Sequence, residues 1–175
     1  MSETDPFDGF MCTCCGQFHS GLPQSYAADF PDGYAWLKPE ERGARTILGS
    51  DQCIIDEQQH FIRGLIEIPI IGQNEVFLWG VWASVLKRDF DEISEFWETN
   101  GREKLTGPYQ GRLNNQLTEY PDTFNLKCTI QIQPVGERPF FYVDEPEHPL
   151  AIEQRYGISI ARVQEIASRL MHPKK

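Results

Sequence analysis

Positive charge is scarce in this chain, with 16 Lys and Arg against 26 Asp and Glu and a formal net charge of −10. A field of that sign repels polyphosphates, and only a concentrated basic patch would overcome it. The densest basic groups are Lys87-Arg88 and Lys174-Lys175, too few for many counterion-releasing phosphate contacts. Sequence-specific nucleic-acid binding is therefore not expected, whereas a basic protein partner is electrostatically permitted. Long apolar runs are missing as well. The longest apolar-rich stretch, FLWGVWASVL from Phe77 to Leu86, is about half the length that a membrane-spanning helix needs. The start, MSETDPFDGF, is acidic and broken by Pro6, unlike a secretory signal with its basic opening and apolar stretch. These absences point to a cytoplasmic protein with no membrane association, where thiols stay reduced and the five cysteines are not a disulfide framework.

Signatures of common reactions are also lacking. No Gly-x-Ser-x-Gly nucleophile elbow occurs. Gly107, Gly111 and Gly136 fit no phosphate-loop fingerprint, and there is no His-Glu-x-x-His zinc-protease motif. What is present is core material: 40% of the residues are hydrophobic and 12% aromatic, which excludes global disorder. A chain of 175 residues is the size of one domain.

The first ten residues read as a flexible lead-in, and 11–172 as one domain. Met11 to Asp32 is rich in Gly, Pro and Ser and needs something besides a core to order it. Pro39 opens a helix expected to run to about Leu48, with Glu40 and Glu41 at the positive end of its dipole. Cys53-Ile54-Ile55 and His60 to Ile68 flank a polar tip, Asp56 to Gln59, as a hairpin does. Phe77 to Leu86 is apolar on both faces and should be a central strand. Trp79 and Trp82 then face opposite ways, one expected in the core and the other partly exposed.

Asp89 to Thr99 has an Asp cap candidate and apolar residues at helical spacing, Phe90, Ile93, Phe96 and Trp97. Gly107 to Pro121 reads as a loop with one short strand. Leu126 to Gln133 alternates strictly, and Arg138 to Val143 should pair nearby. Pro149 to Gln154 makes a short helix ended by Gly157. Ser159 caps a last helix with the stripe Ile160, Val163, Ile166, Ala167 and Leu170. Hairpins without repeated βαβ units imply an α+β domain, a mostly antiparallel sheet with flanking helices.

One segment carries chemistry. CTCCGQFH, residues 12–19, holds three cysteines and a histidine. The Cys-x-x-Cys spacing of Cys12 and Cys15 lets two thiolates approach one ion, Gly16 suits the turn, and His19 is near enough to be a third ligand. The fourth must come from Cys53, Cys128, His60, His148 or His172. Cys53 is the expected choice, because it starts a strand and would pin the irregular segment to the sheet, whereas Cys128 sits on the apolar face of an alternating strand. Cys14 is left as a bystander. A knuckle of this kind calls for structural Zn2+, since a metal orders a segment that cannot order itself. Unliganded thiols remain an alternative. A redox pair is another, although GQFHSGLP makes a poor helix start for activating a thiolate.

Two further candidates have plainer explanations. His148 lies at a strand-to-helix junction and has no nucleophile partner, so a helix-entry histidine explains it. The loop from 107 to 122 carries Tyr109, Arg112, Asn114, Asn115, Tyr120 and Asp122, a mixture found at recognition surfaces and also in ordinary solvated loops.

Together, CTCCGQFH, LPQSYAADFPD, SDQC, FIRGLIEIP, FLWGVWASV, LNNQLTEYPDTFNLK, RPFFYV and EHPLAIEQRYGIS resemble the bacterial family called domain of unknown function 2199 (DUF2199), over about residues 11–169. The resemblance implies a Cys-x-x-Cys-Gly with a following His and an Asp-x-Cys, matched by Cys12, Cys15, Gly16, His19, Asp51 and Cys53. It implies no activity. The expectation is thus a non-enzymatic, protein-binding α+β domain stabilised by structural zinc. The alternatives are a small-molecule enzyme with a cleft near His148, Arg138 and the 107–122 loop, and a thiol redox protein.

Overall fold

The computed structural model describes residues 4–173. In chain order the elements are β1 (Gly9–Met11), β2 (Phe18–Ser20), β3 (Ser25–Ala27), α1 (Asp32–Ala35), α2 (Pro39–Arg45), β4 (Thr46–Leu48), β5 (Gln52–Ile55), β6 (Gln59–Pro69) and β7 (Val76–Val85). There follow α3 (Lys87–Glu95), a 3-10 turn (Arg102–Lys104), β8 (Tyr109–Leu113), β9 (Lys127–Gln131), β10 (Phe140–Val143), α4 (Pro149–Tyr156) and α5 (Ile160–Met171). The expected α+β class holds: β1 and β2 form a small sheet, and β3 to β10 form an eight-stranded, mostly antiparallel sheet with the order β3-β7-β8-β9-β10-β6-β5-β4.

β6 and β7 are long enough to serve two sets of neighbours. They pair with each other along their whole length, from His60 opposite Val85 to Pro69 opposite Val76. On its outer side β6 meets β5 at Gln59 to Ile62 and then β10 at Leu65. β7 meets β3 at Leu78 to Gly80 and β8 at Ala83 to Val85. Because β8, β9 and β10 are also paired in series, the pairings from β6 through β10 return to β6 and close a ring. Among the strand pairs of the described residues only β10–β6 and β3–β7 are parallel.

The alternation along the strands decides what each face buries. Ile62, Ile66 and Ile68 of β6, Phe77, Trp79 and Val81 of β7, and Cys128 and Ile130 of β9 point into the main core with Phe141. Phe90 and Ile93 of α3, Leu150 of α4, and Val163, Ile166 and Ala167 of α5 complete it. Each buried Ile, Leu or Phe contributes roughly 1.5–3 kcal/mol. The opposite face carries a smaller cluster of Cys53, Ile55, Phe61 and Trp82, covered by Ala28, Tyr34 and Leu37. That cover explains why Trp82 is fully buried and not partly exposed. Its indole N–H donates to the Ala28 carbonyl at 3.1 Å. The covering segment is held in turn by Asn114, whose Oδ1 accepts from Gly33 N–H, and by Asn115, whose amide donates to Phe30 and Asp32.

Several element boundaries depart from the sequence reading. Phe7 packs on the core and Phe10 is buried within it, so the expected lead-in is part of the fold from there; residues 1–3 lie outside the described range. α2 ends at Arg45, because Thr46 takes an extended conformation, with φ −133, and Thr46 to Leu48 pair with β5. α3 begins at Lys87, so Asp89 lies in its first turn instead of capping it, and Trp97 falls beyond its end. The hairpin falls where expected, with a tip at Asp56 and Glu57 that is tighter than the expected Asp56 to Gln59, since Gln59 already belongs to β6. Both tip residues have positive φ and Gln58 N–H returns to the Ile55 carbonyl at 3.1 Å, as in a two-residue hairpin turn whose twist matches the strands. Arg45 anchors it through two bonds to the Asp56 carboxylate, at 2.8 and 2.7 Å.

Candidate metal centre

The antiparallel pairing of β1 with β2 sets Phe10 opposite His19 and Met11 opposite Phe18, which places Cys12 to Gln17 in the connecting turn. Cys12 N–H bonds the Gln17 carbonyl and Gly16 N–H bonds the Cys12 carbonyl, each at 2.9 Å. Gly16 has φ 71, a conformation that glycine takes without steric cost. The hairpin is fastened to α5 by Thr13 N–H, which donates to Ser168 Oγ at 3.1 Å.

α5 terminates at its C-cap, His172. The His172 ring lies 6.2 Å from that of His19, and Phe10 backs His19 from 5.6 Å. As a result Cys12 Sγ, Cys15 Sγ and one ring nitrogen each of His19 and His172 all lie within 4.8 Å of one another. Cys15 Sγ and His19 Nε2 are 3.3 Å apart. Zn–S bonds of about 2.3 Å and Zn–N bonds of about 2.0 Å place tetrahedral ligands roughly 3.3–3.8 Å from each other, so this donor set needs only a small contraction around one ion.

The electrostatics suit a metal too. Burial pushes the Cys12 thiol up, but hydrogen bonds from the backbone N–H groups of Cys15 and Cys14, the Ser168 hydroxyl and the Cys15 thiol outweigh it and bring it down to about 6. These hydrogen bonds favour the Cys12 thiolate, the form that ligates metals. Cys14 is exposed and outside the donor set, as the spacing suggested.

The fourth donor differs from the one expected. Cys53 is fully buried in the smaller apolar cluster, where burial raises its thiol to about 11, and His172 takes its place beside Cys12, Cys15 and His19. The Asp51-x-Cys53 pair has another use. Asp51 accepts a 2.7 Å bond from Arg138 Nε, which joins the starts of β5 and β10, while Cys53 fills the core behind it. Cys128 is core, as expected, and burial raises its thiol to about 12.

A family model described as "Uncharacterized protein conserved in bacteria (DUF2199)" matches residues 11–158. The chain belongs to the DUF2199 family. The match takes in Cys12, Cys15 and His19 of this DUF2199 protein and stops before His172. No curated protein and no solved structure matches the chain. No helix among the described residues is long and apolar enough to cross a membrane.

The remaining candidates are occupied inside the fold. His148 caps α4: its Nδ1 accepts from Leu150 N–H at 3.1 Å, and its Nε2 lies 2.7 Å from the Pro121 carbonyl. Tyr109 donates to Glu92 at 2.8 Å. Tyr120 donates to Glu153 at 2.5 Å and accepts from the Trp79 indole at 3.0 Å. Arg138 lines a cleft of ≈ 680 Å³ whose lining does not include His148. His172 is one of the five fourth-ligand candidates that the sequence offers, and Cys53 is favoured over it there because His172 follows a helix far from residues 12–19 in sequence and no spacing singles it out.

Proposed function

We propose that Cys12, Cys15, His19 and His172 hold one structural zinc ion, and that the protein works by binding another protein and not by catalysis. The convergence of four Cys and His donors within 4.8 Å carries the first part. Two thiolates and two imidazoles fill a tetrahedral shell and leave no open position for a metal-bound water, the arrangement of structural rather than catalytic zinc. The ion has a mechanical task here. β1 and β2 form a sheet of two strands only, which is marginal by itself in water, and the metal ties that hairpin to the end of α5. Support for the binding part comes from the net charge of −10, which favours a basic partner. Further support comes from Trp36, whose ring packs at a tilt against Phe124 at 5.1 Å yet keeps 67% of its surface in solvent.

The test is metal content and thermal stability of protein purified without a polyhistidine tag. Wild type and Cys53→Ser should each carry one zinc per chain. Cys15→Ser and His172→Ala should lose it and melt lower, because structural zinc supplies about 10–16 kcal/mol of apparent binding free energy. A metal-free wild type whose melting is unmoved by added zinc or by a chelator would overturn the assignment.

A further inference from the structure

The sheet face turned away from the main core is only partly covered. Alternation sends Ile66, Ile68, Trp79 and Phe141 inward and their neighbours Leu65, Glu67, Leu78 and Phe140 outward. These four outward residues line the ≈ 680 Å³ cleft together with Trp97 and Arg138. A second hollow of ≈ 410 Å³ shares Glu67 and Phe140 with it and continues past Tyr142 to Arg155. The shared residues make the two hollows one elongated groove with an apolar floor, a shape that accommodates an extended chain better than a compact small molecule.

Its charge is one-sided. At one end Arg138 is paired with Asp51 at 2.7 Å, and Arg63 lies 3.9 Å from Asp29, so that end is balanced. Arg102, in the wall, donates all its hydrogen bonds to backbone carbonyls. Glu67, Glu98 and Glu137 also line the cleft, and among the described residues none of the three has a cation within salt-bridge distance. Against them stand Arg155 at the far end and Arg102, whose guanidinium is 4% exposed and turned to backbone carbonyls, so among the described residues the groove's solvent-facing charge is mainly carboxylate. A groove with apolar rungs and unpaired carboxylates complements a chain that alternates apolar and cationic side chains.

We propose that this groove docks an extended segment of a partner protein in which Lys or Arg alternates with apolar residues. The inference rests on the protein-binding reading above and locates the contact. The probe is a fluorescein-labelled synthetic peptide of alternating Lys and Leu, compared with its Glu-for-Lys counterpart and with free spermine. The Lys peptide should bind in fluorescence anisotropy, weaken with added salt, and protect the amides of residues 65–67 and 140–142 from hydrogen exchange. Glu67→Lys, a change at an exposed position, should weaken it about tenfold or more. Equal binding of the Glu peptide, competition by spermine at equal concentration, or indifference to Glu67→Lys would overturn the groove. Panning a displayed library of random linear peptides separates the two layers. Ligands that ignore Glu67→Lys sink the groove and leave protein binding standing, and a library that yields no ligand sinks both.

Discussion

Replacing Arg102 by Met should be among the most damaging single changes outside the apolar core. Arg102 starts the 3-10 turn after Gly101 and is 4% exposed. Its Nε donates to the Gln133 carbonyl at 2.8 Å, Nη1 to Trp97 at 2.6 Å, and Nη2 to Pro134 at 3.0 Å and Glu137 at 2.5 Å. The guanidinium also lies 4.4 Å from the Trp97 ring centroid. A hydrogen bond to a charged group nets about 1.5–3 kcal/mol, so four would sum to about 6–12 kcal/mol if every carbonyl stayed dry. Pro134 and Glu137 are exposed and water would take over their carbonyls, leaving an expected loss of about 3–5 kcal/mol. For a domain of this size that is a fall in melting temperature on the order of 10 °C. Urea denaturation followed by tryptophan fluorescence reads the loss, and hydrogen exchange should show it first at residues 133–138. Arg102→Lys keeps the charge without the fork and should recover only part of the loss. A cost below about 1 kcal/mol, or loosening that spares 133–138, would refute the account.

Tyr120→Phe removes the acceptor of the buried Trp79 indole N–H and a donor to Glu153. It should cost about 1–3 kcal/mol in denaturant titration and change the tryptophan emission. Asp51 gives a pH test. Burial pushes its carboxyl up, but hydrogen bonds from Ser50 and Arg138 and the charges of Arg138 and Arg63 outweigh that and hold it below its ordinary value. Its stabilisation is therefore present above the unfolded carboxylate range near about pH 4 and is lost as pH falls through the folded value; Asp51→Asn should flatten that acid limb in pH-dependent denaturation. Gly64→Ala drives a methyl group into the Phe141 ring and should cost about 1–3 kcal/mol by overpacking, checked by thermal melting.

The sequence made the elements legible where one face of a segment dominated. The β9 alternation, the α5 stripe with its Ser159 cap and the hairpin turn beginning at Asp56 are all where the period and the polar run put them. Three of the four members of the Cys/His cluster were legible as a group too, because Cys12, Cys15 and His19 are neighbours in the chain. The misses have tertiary causes. Thr46 to Leu48 continued a helical reading until β5 offered a partner strand. One of Trp79 and Trp82 read as partly exposed, yet both are buried, because the cover over Trp82, Ala28 to Leu37, has no periodicity of its own and depends on Asn114 and Asn115 for its position. His172 joins His19 only because α5 docks against the hairpin through Ser168.

The closed ring from β6 to β10 also bears on how the protein behaves in concentrated solution. A strand with a free edge is a template for pairing with another chain, and a ring has no such edge to offer. Where β10 diverges from β6, the Gln154 amide takes up Val143 N–H at 2.9 Å and the Phe141 carbonyl at 2.8 Å, which caps the gap there. Among the described residues the free edges fall to β1, β2, β3 and β4, each three residues long, too short to template much. β4 is the weak point, since Ile47 on it is 70% exposed. If the chain forms fibrils or edge-to-edge dimers when partly unfolded, the first contact should run through Thr46, Ile47 and Leu48, and a lysine at position 47 should delay it.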